Sequence, residues 1–217
     1  MSYQTEEQQI EQLKDWWKEN GTSLLVGAAL GLSGFFGWKF WNEKQVIEQE
    51  SASNLYVSMT EYIGKEDTSK LIENANLVKA KHPDSSYAIL ASFHLVKVAV
   101  EEKKYDEAAA ELKWIIDNHK GNELTDIAKI RLARILIAQQ KAEQALALLT
   151  FSDDSGYFEL ANLVKGDAFS ALNKKQEALE AYQLAANVGK TTANHSTLNI
   201  KIDELKLSEL ELTEVAK

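Results

Sequence analysis

Charge vanishes from the chain between Glu19 and Lys39: the nineteen residues from Asn20 to Trp38, NGTSLLVGAALGLSGFFGW, carry none. As a helix rising about 1.5 Å per residue they cover roughly 28 Å, close to the ~30 Å hydrocarbon thickness of a bilayer. The pattern predicts one transmembrane helix over 20–41, closed by an aromatic cluster. Trp38 and Trp41 place indole rings where a membrane interface favours them, and Lys39 can snorkel its ammonium to the headgroups. A cleaved secretory signal would start basic, carry a shorter apolar core and end in a small-residue cleavage site, whereas this stretch starts acidic and runs into Gly37-Trp38-Lys39. A buried globular helix would need cover on every side, and glycines at about 1 kcal/mol each are better tolerated in a bilayer.

Within the span, Gly27, Gly31 and Gly34 fall inside about 60° of one another at ~100° per residue, with Trp38 on the same stripe. Gly27 and Gly31 form a G-x-x-x-G, a groove that lets a second helix approach closely, so these three are the candidate transmembrane packing face. Ahead of the span, Thr5-Glu6-Glu7-Gln8 has the form of a capping box, and Ile10, Leu13 and Trp17 mark one apolar stripe. Residues 1–19 are therefore a short amphipathic segment, either lying in the interface or forming the solvated start of the spanning helix.

Beyond Trp41 apolar residues recur three and four apart without strict alternation, which predicts helices and no sheet. Val46 to Tyr62 and Ser69 to Lys81 read as a first helix pair, broken by Gly64 and Glu66-Asp67-Thr68 and closed by Pro83, the sole proline. Ser85 or Ser86 can cap the next helix. Lys104-Tyr105-Asp106-Glu107-Ala108, Lys141-Ala142-Glu143-Gln144-Ala145 and Lys174-Lys175-Gln176-Glu177-Ala178 then each set a Lys four residues before an Ala, at spacings of 37 and 33. These spacings bracket the ~34-residue period of tetratricopeptide repeats, helix pairs that cannot bury their own faces and must stack on neighbours.

The candidate repeat-packing residues are Ala108, Ala145, Gly166, Ala178 and Tyr182. The alanines are small enough for the second helix of a pair to pack closely on the first. The third repeat fits best, with Gly166 and Phe169 on its first helix and Ala178, Tyr182 and Ala185 on its second. Leu95, Ala99, Leu112 and Ile115, and then Leu132, Leu136 and Leu149, fill similar places in the earlier two. Leu198, Ile202 and Leu205 mark a last helix covering the open end of the stack. The expected fold is all-α: a single N-terminal transmembrane helix, then a tetratricopeptide-like α-solenoid of stacked helix pairs over 42–208 and a polar tail over 209–217.

Of the 217 residues, about 176 follow Trp41, enough for one domain with its own core. The whole chain carries −9; after Trp41 the balance is 21 basic against 28 acidic side chains, or −7. That acidity argues against a nucleic-acid groove or a polybasic lipid surface. Cysteine is absent, so thiolate chemistry is unavailable. His82, His94, His119 and His195 show no ligand spacing and read as packing or surface. Glu101-Glu102 and Asp153-Asp154 fall where helices end and read as solvated turns. No Gly-rich phosphate loop or nucleophile elbow occurs. The expectation is a binding module with no enzyme activity, cofactor or metal.

Taken together, the acidic start, W-W-K-E-N-G at Trp16 to Gly21, a Gly-rich span closed by G-W-K-F-W-N at Gly37 to Asn42, S-S-Y-A-x-L-A at Ser85 to Ala91 and R-L-A-R at Arg131 to Arg134 resemble the YfgM family. Its members are ancillary subunits of the bacterial SecYEG translocon. The resemblance covers nearly the whole chain. It implies a single-pass inner-membrane protein with a cytoplasmic N-terminus and a periplasmic repeat domain. It also implies association with SecYEG and the periplasmic chaperone PpiD, and help in handling emerging secretory polypeptides. On the residues alone, a membrane-tethered scaffold for another envelope assembly stays open, because stacked helix pairs do not name their cargo.

Overall fold

The computed structural model describes residues 6–188 and 195–215, and every regular element among them is helical. The helices are α1 (Glu6–Thr60), α2 (Ser69–Lys81), α3 (Ser86–Glu101), α4 (Tyr105–Asn118), α5 (Glu123–Ala138), α6 (Ala142–Leu148), α7 (Phe158–Ala171), α8 (Lys175–Val188) and α9 (His195–Val215). The chain divides into two compact units at Ser51 and Ala52, inside α1.

In the first unit, the amphipathic start, the apolar stretch and the polar turns after Trp41 run as one helix rather than as separate segments. Residues 6–19 are therefore continuous with the apolar stretch, and the helix expected from Val46 is its continuation, ending at Thr60. The reason is the absence of any proline before Pro83 and, among the described residues, of any positive φ before Gly64. Asn20 gives no break either: its side-chain amide donates to the Trp16 carbonyl at 3.0 Å, inside the helix. The Thr5 cap lies outside the described residues.

The second unit stacks helices in chain order, each packing on its sequence neighbours from α2 to α9, with α5 also meeting α7. Among the described residues, three apolar clusters follow one another along the stack. Met59, Leu71, Val78, Leu95 and Val98 join the end of α1 to α2 and α3. Ile89, Leu112, Ile115, Ile130, Leu132 and Leu149 fill the middle, while Tyr182, Ala185, Leu198 and Ile202 close the far end with α9. Trp114 touches the first two clusters and Leu160 the last two, so the core is handed on along the stack.

The recurring Lys-x-x-x-Ala has a backbone cause. Just before each Lys stands a residue in the left-handed conformation: Lys103 at φ 60°, Gln140 at 61° and Asn173 at 58°. The following amides then reach back five residues, Lys104 to Ala99 O at 2.7 Å, Lys141 to Leu136 O at 2.8 Å and Lys174 to Phe169 O at 2.9 Å. Each is a Schellman closure of the repeat's first helix. The same Lys carbonyls accept from the Ala108, Ala145 and Ala178 amides at 3.1, 3.2 and 3.0 Å, opening the second helix. Ala108, Ala145 and Ala178 are all fully buried, so the motif ends one helix, starts the next and keeps the contact small. The middle repeat is the shortest. Its α6 stops at Leu148, where Ser152-Asp153-Asp154-Ser155-Gly156 favours turns. Between the α2 and α3 helices Ser85 is the cap, its Oγ accepting from Ala88 N at 3.2 Å.

Candidate interaction surfaces

The first surface is the apolar stretch of α1, the one helix among the described residues long and apolar enough to cross a membrane. Its large side chains are exposed on every side of the helix, Leu25, Leu30, Phe36 and Phe40 among them. Trp38 and Trp41 are equally exposed, and Lys39 reaches Glu43 only at 3.8 Å. Gly27, Gly31 and Gly34 each face open space: a Cβ built there meets nothing within 4 Å. Gly21 differs, because the Trp17 indole folds over it and a Cβ would meet the ring at 3.1 Å.

A sharper contrast lies at Gly166 on α7, where a Cβ would stand 2.3 Å from the Tyr182 ring. The ring therefore lies on the bare glycine, and no larger residue leaves it room. Tyr182 is only 2% exposed, and its hydroxyl donates to Asp167 Oδ1 at 2.7 Å. Lys201 of α9 donates to the same oxygen at 2.6 Å. Gly166, Asp167, Tyr182 and Lys201 thus clasp α7, α8 and α9 together.

The second surface is a groove of about 500 Å³ between α3 and α5, lined by Leu90, Phe93, His94, Lys97, Leu124, Ile127 and Arg131. Arg131 sets its guanidinium 4.6 Å from the centre of the Phe93 ring. The Tyr56 hydroxyl meets His94 Nε2 at 3.2 Å, and burial, aided by nearby Lys97, pushes the His94 imidazole below its ordinary pKa. Sequence reasoning missed this groove because its residues come from helices more than thirty positions apart. One signal was available. His94 and Arg131 each stand ten residues before a motif lysine, so they occupy the same place in successive repeats.

The remaining polar candidates do not converge. His119 is buried against Trp114 at 5.3 Å between ring centres, which depresses its pKa despite opposing pulls from Asp84 and the Pro83 carbonyl. His82 caps the end of α2, and the His195 side chain lies outside the described residues. Glu102 pairs with Lys104 at 2.7 Å in the turn after α3. Ser152 donates to Asp154 and holds that carboxyl below its ordinary range. Among the described residues no three His, Asp or Glu side chains gather as a metal site.

A family model for the tetratricopeptide repeat-like domain matches residues 14–207. The match takes in the apolar helix as well as the repeats. The chain is 28% identical over 205 residues to a Haemophilus influenzae protein named "Ancillary SecYEG translocon subunit", covering 94% of this chain and 97% of that one. It is 28% identical over 207 residues to an Escherichia coli protein of the same name, covering 94% and 98%. A Neisseria gonorrhoeae protein, again so named, is 26% identical over 203 residues, covering 93% and 97%.

Proposed function

Because the chain belongs to the tetratricopeptide repeat-like family matched over residues 14–207, we propose that it is a membrane-anchored, non-enzymatic adaptor of the SecYEG translocon. The observation that carries this reading is that similarity to the translocon subunits extends over about 94% of the chain, apolar helix included. An anchor and a repeat stack that had come together for another assembly would share with those proteins only the stack.

Physical chemistry supports a division of labour. A helix exposing Leu24, Leu30 and Phe36 around its circumference is stable only in an apolar solvent, and the bilayer is one. The bare face of Gly27, Gly31 and Gly34 admits a neighbouring helix backbone closely, which is how spans associate where no hydrophobic effect drives them. The repeat domain then holds a polypeptide partner on its stacked faces. Once the span sits beside the translocon, the domain meets emerging secretory chains at an effective concentration approaching the millimolar range, so a weak contact suffices. The same proposal includes an inner-membrane location with a cytoplasmic N-terminus and a periplasmic domain, and a link to a periplasmic chaperone such as PpiD.

Affinity purification of the tagged full chain from membranes tests the association, and SecY should co-elute. Protease added to spheroplasts tests topology: it should remove the domain after Trp41 and spare an N-terminal tag. A tag digested from outside, or an eluate without translocon subunits, would contradict the proposal.

A further inference from the structure

The groove between α3 and α5 has an apolar floor of Leu90, Phe93, Leu124 and Ile127 and cationic sides at Lys97 and Arg131. His94 and Lys97 also line a second cleft of about 120 Å³, where Lys65 stands with Glu101 as the one carboxylate. These cations are gathered in a chain of 33 acidic and 24 basic side chains, against the overall balance. Arg131 is one of only two arginines in the sequence, and the other, Arg134, lies one turn further along α5. A guanidinium held over an aromatic ring keeps its N–H edge free for a planar acceptor such as a carboxylate. Lys97 is held weakly, 3.7 Å from Glu101 with both side chains 62% exposed, so an incoming carboxylate competes easily. In the third repeat the place of His94 and Arg131 passes to Val164, so the polar run ends there.

An apolar floor beside cations is complementary to neither a basic chain nor a bare phosphate. We propose that this groove binds polypeptide segments in which apolar residues alternate with carboxylates, the apolar side chains seated on Phe93 and Ile127 and the carboxylates meeting Lys97 and Arg131. The assignment rests on the reading of the repeat domain as a binding module, and it adds where a segment binds and of what chemistry.

The test uses the full chain in lipid nanodiscs and a fluorescein-labelled peptide in which leucines alternate with glutamate-serine pairs, with a lysine-for-glutamate counterpart. Anisotropy should rise with the glutamate peptide only. Lys97→Glu combined with Arg131→Glu should weaken that binding about tenfold or more and admit the lysine peptide. Far-UV circular dichroism checks that the helices survive, and Arg131→Gln serves as a milder variant if they do not. Equal binding of the two peptides, no binding of the glutamate peptide, or unchanged affinity in the variants would overturn the proposal. So would a mass measurement in which the double variant dissociates a dimer, since the groove would then belong to a second copy. Co-purification of SecY with the same double variant keeps the two readings apart: it should persist while peptide binding is lost, and its absence even from the parent chain would count against translocon association alone.

Discussion

Along the first unit the large apolar side chains point outward, with Leu30 69% and Phe40 71% exposed, whereas in the repeat unit Ile89, Leu112 and Ile115 are wholly buried. The same glycine means different things in the two settings. Gly31 has open space where a side chain would go, while Gly166 has the Tyr182 ring 2.3 Å away. In the repeat unit a small residue is spent on a contact already made inside the chain. In the first unit Gly27, Gly31 and Gly34 meet nothing within the chain, and under the proposed function a helix from outside packs there. A glycine's neighbours, rather than its presence, separate internal packing from a face left bare within the chain.

The strongest way to break this contrast is to enlarge both kinds of site. Gly166→Leu and, separately, Ala178→Trp overpack a closed contact and should each cost about 3 kcal/mol, lowering the thermal midpoint of the full chain in micelles by many degrees. Gly27→Leu with Gly31→Leu should leave that midpoint unchanged and lower co-purification with SecY. Equal midpoints for Gly166→Leu and the parent would mean that the ring does not rest on the glycine.

A smaller effect sharpens the repeat side. Tyr182→Phe keeps the ring on Gly166 and removes only the hydroxyl that donates to Asp167, so it should cost about 1 kcal/mol in the same melt. A loss as large as that of Gly166→Leu would place the energy in the hydrogen bond instead of the packing.

Acid should loosen the repeat unit more modestly. His94 and His119 are both pushed below their ordinary pKa, chiefly by burial. Their unfolded forms therefore take up protons first. Stability is complete above the unfolded pKa of about 6.5 and falls as pH drops through and below it, until the folded imidazoles also protonate. Midpoints measured from pH 7.5 to 5 should decline, and His94→Gln with His119→Gln should flatten the decline.

The smallest expected change is a gain. Lys103 and Gln140 hold left-handed backbone that costs an L-residue about 1–2 kcal/mol, part of which glycine returns as unfolded-chain entropy. Lys103→Gly should thus raise stability by about 0.5–1 kcal/mol in urea melts, and a loss would show that the lysine side chain does more than turn the chain.

Much of this was legible in the order of residues. The uncharged run from Asn20 to Trp38 needed only counting, and the Lys-x-x-x-Ala spacing marked three helix junctions because each performs the same backbone task. The left-handed residues escaped notice because Lys, Gln and Asn stand where glycine would have announced the turn. Gly166 and Tyr182 could both be named as packing residues, yet that one lies under the other is a fact of tertiary contact. The continuous α1 was hidden by its change from amphipathic to apolar to polar, which alters the solvent each stretch prefers without interrupting the helix. The groove at Phe93 and Arg131 depends on two helices meeting, and only the shared repeat position of His94 and Arg131 hinted at it.

If the span is the docking element, crosslinking in intact membranes reads that directly. A photoreactive amino acid is placed at Ser23 or Leu30, beside the Gly27, Gly31 and Gly34 stripe, or at Leu25 or Phe36 on the opposite side of the helix. Adducts with a translocon subunit should form from the first pair and be weak or missing from the second. Adducts equally strong from both sides, or none from any of the four positions, would contradict a glycine-faced docking helix.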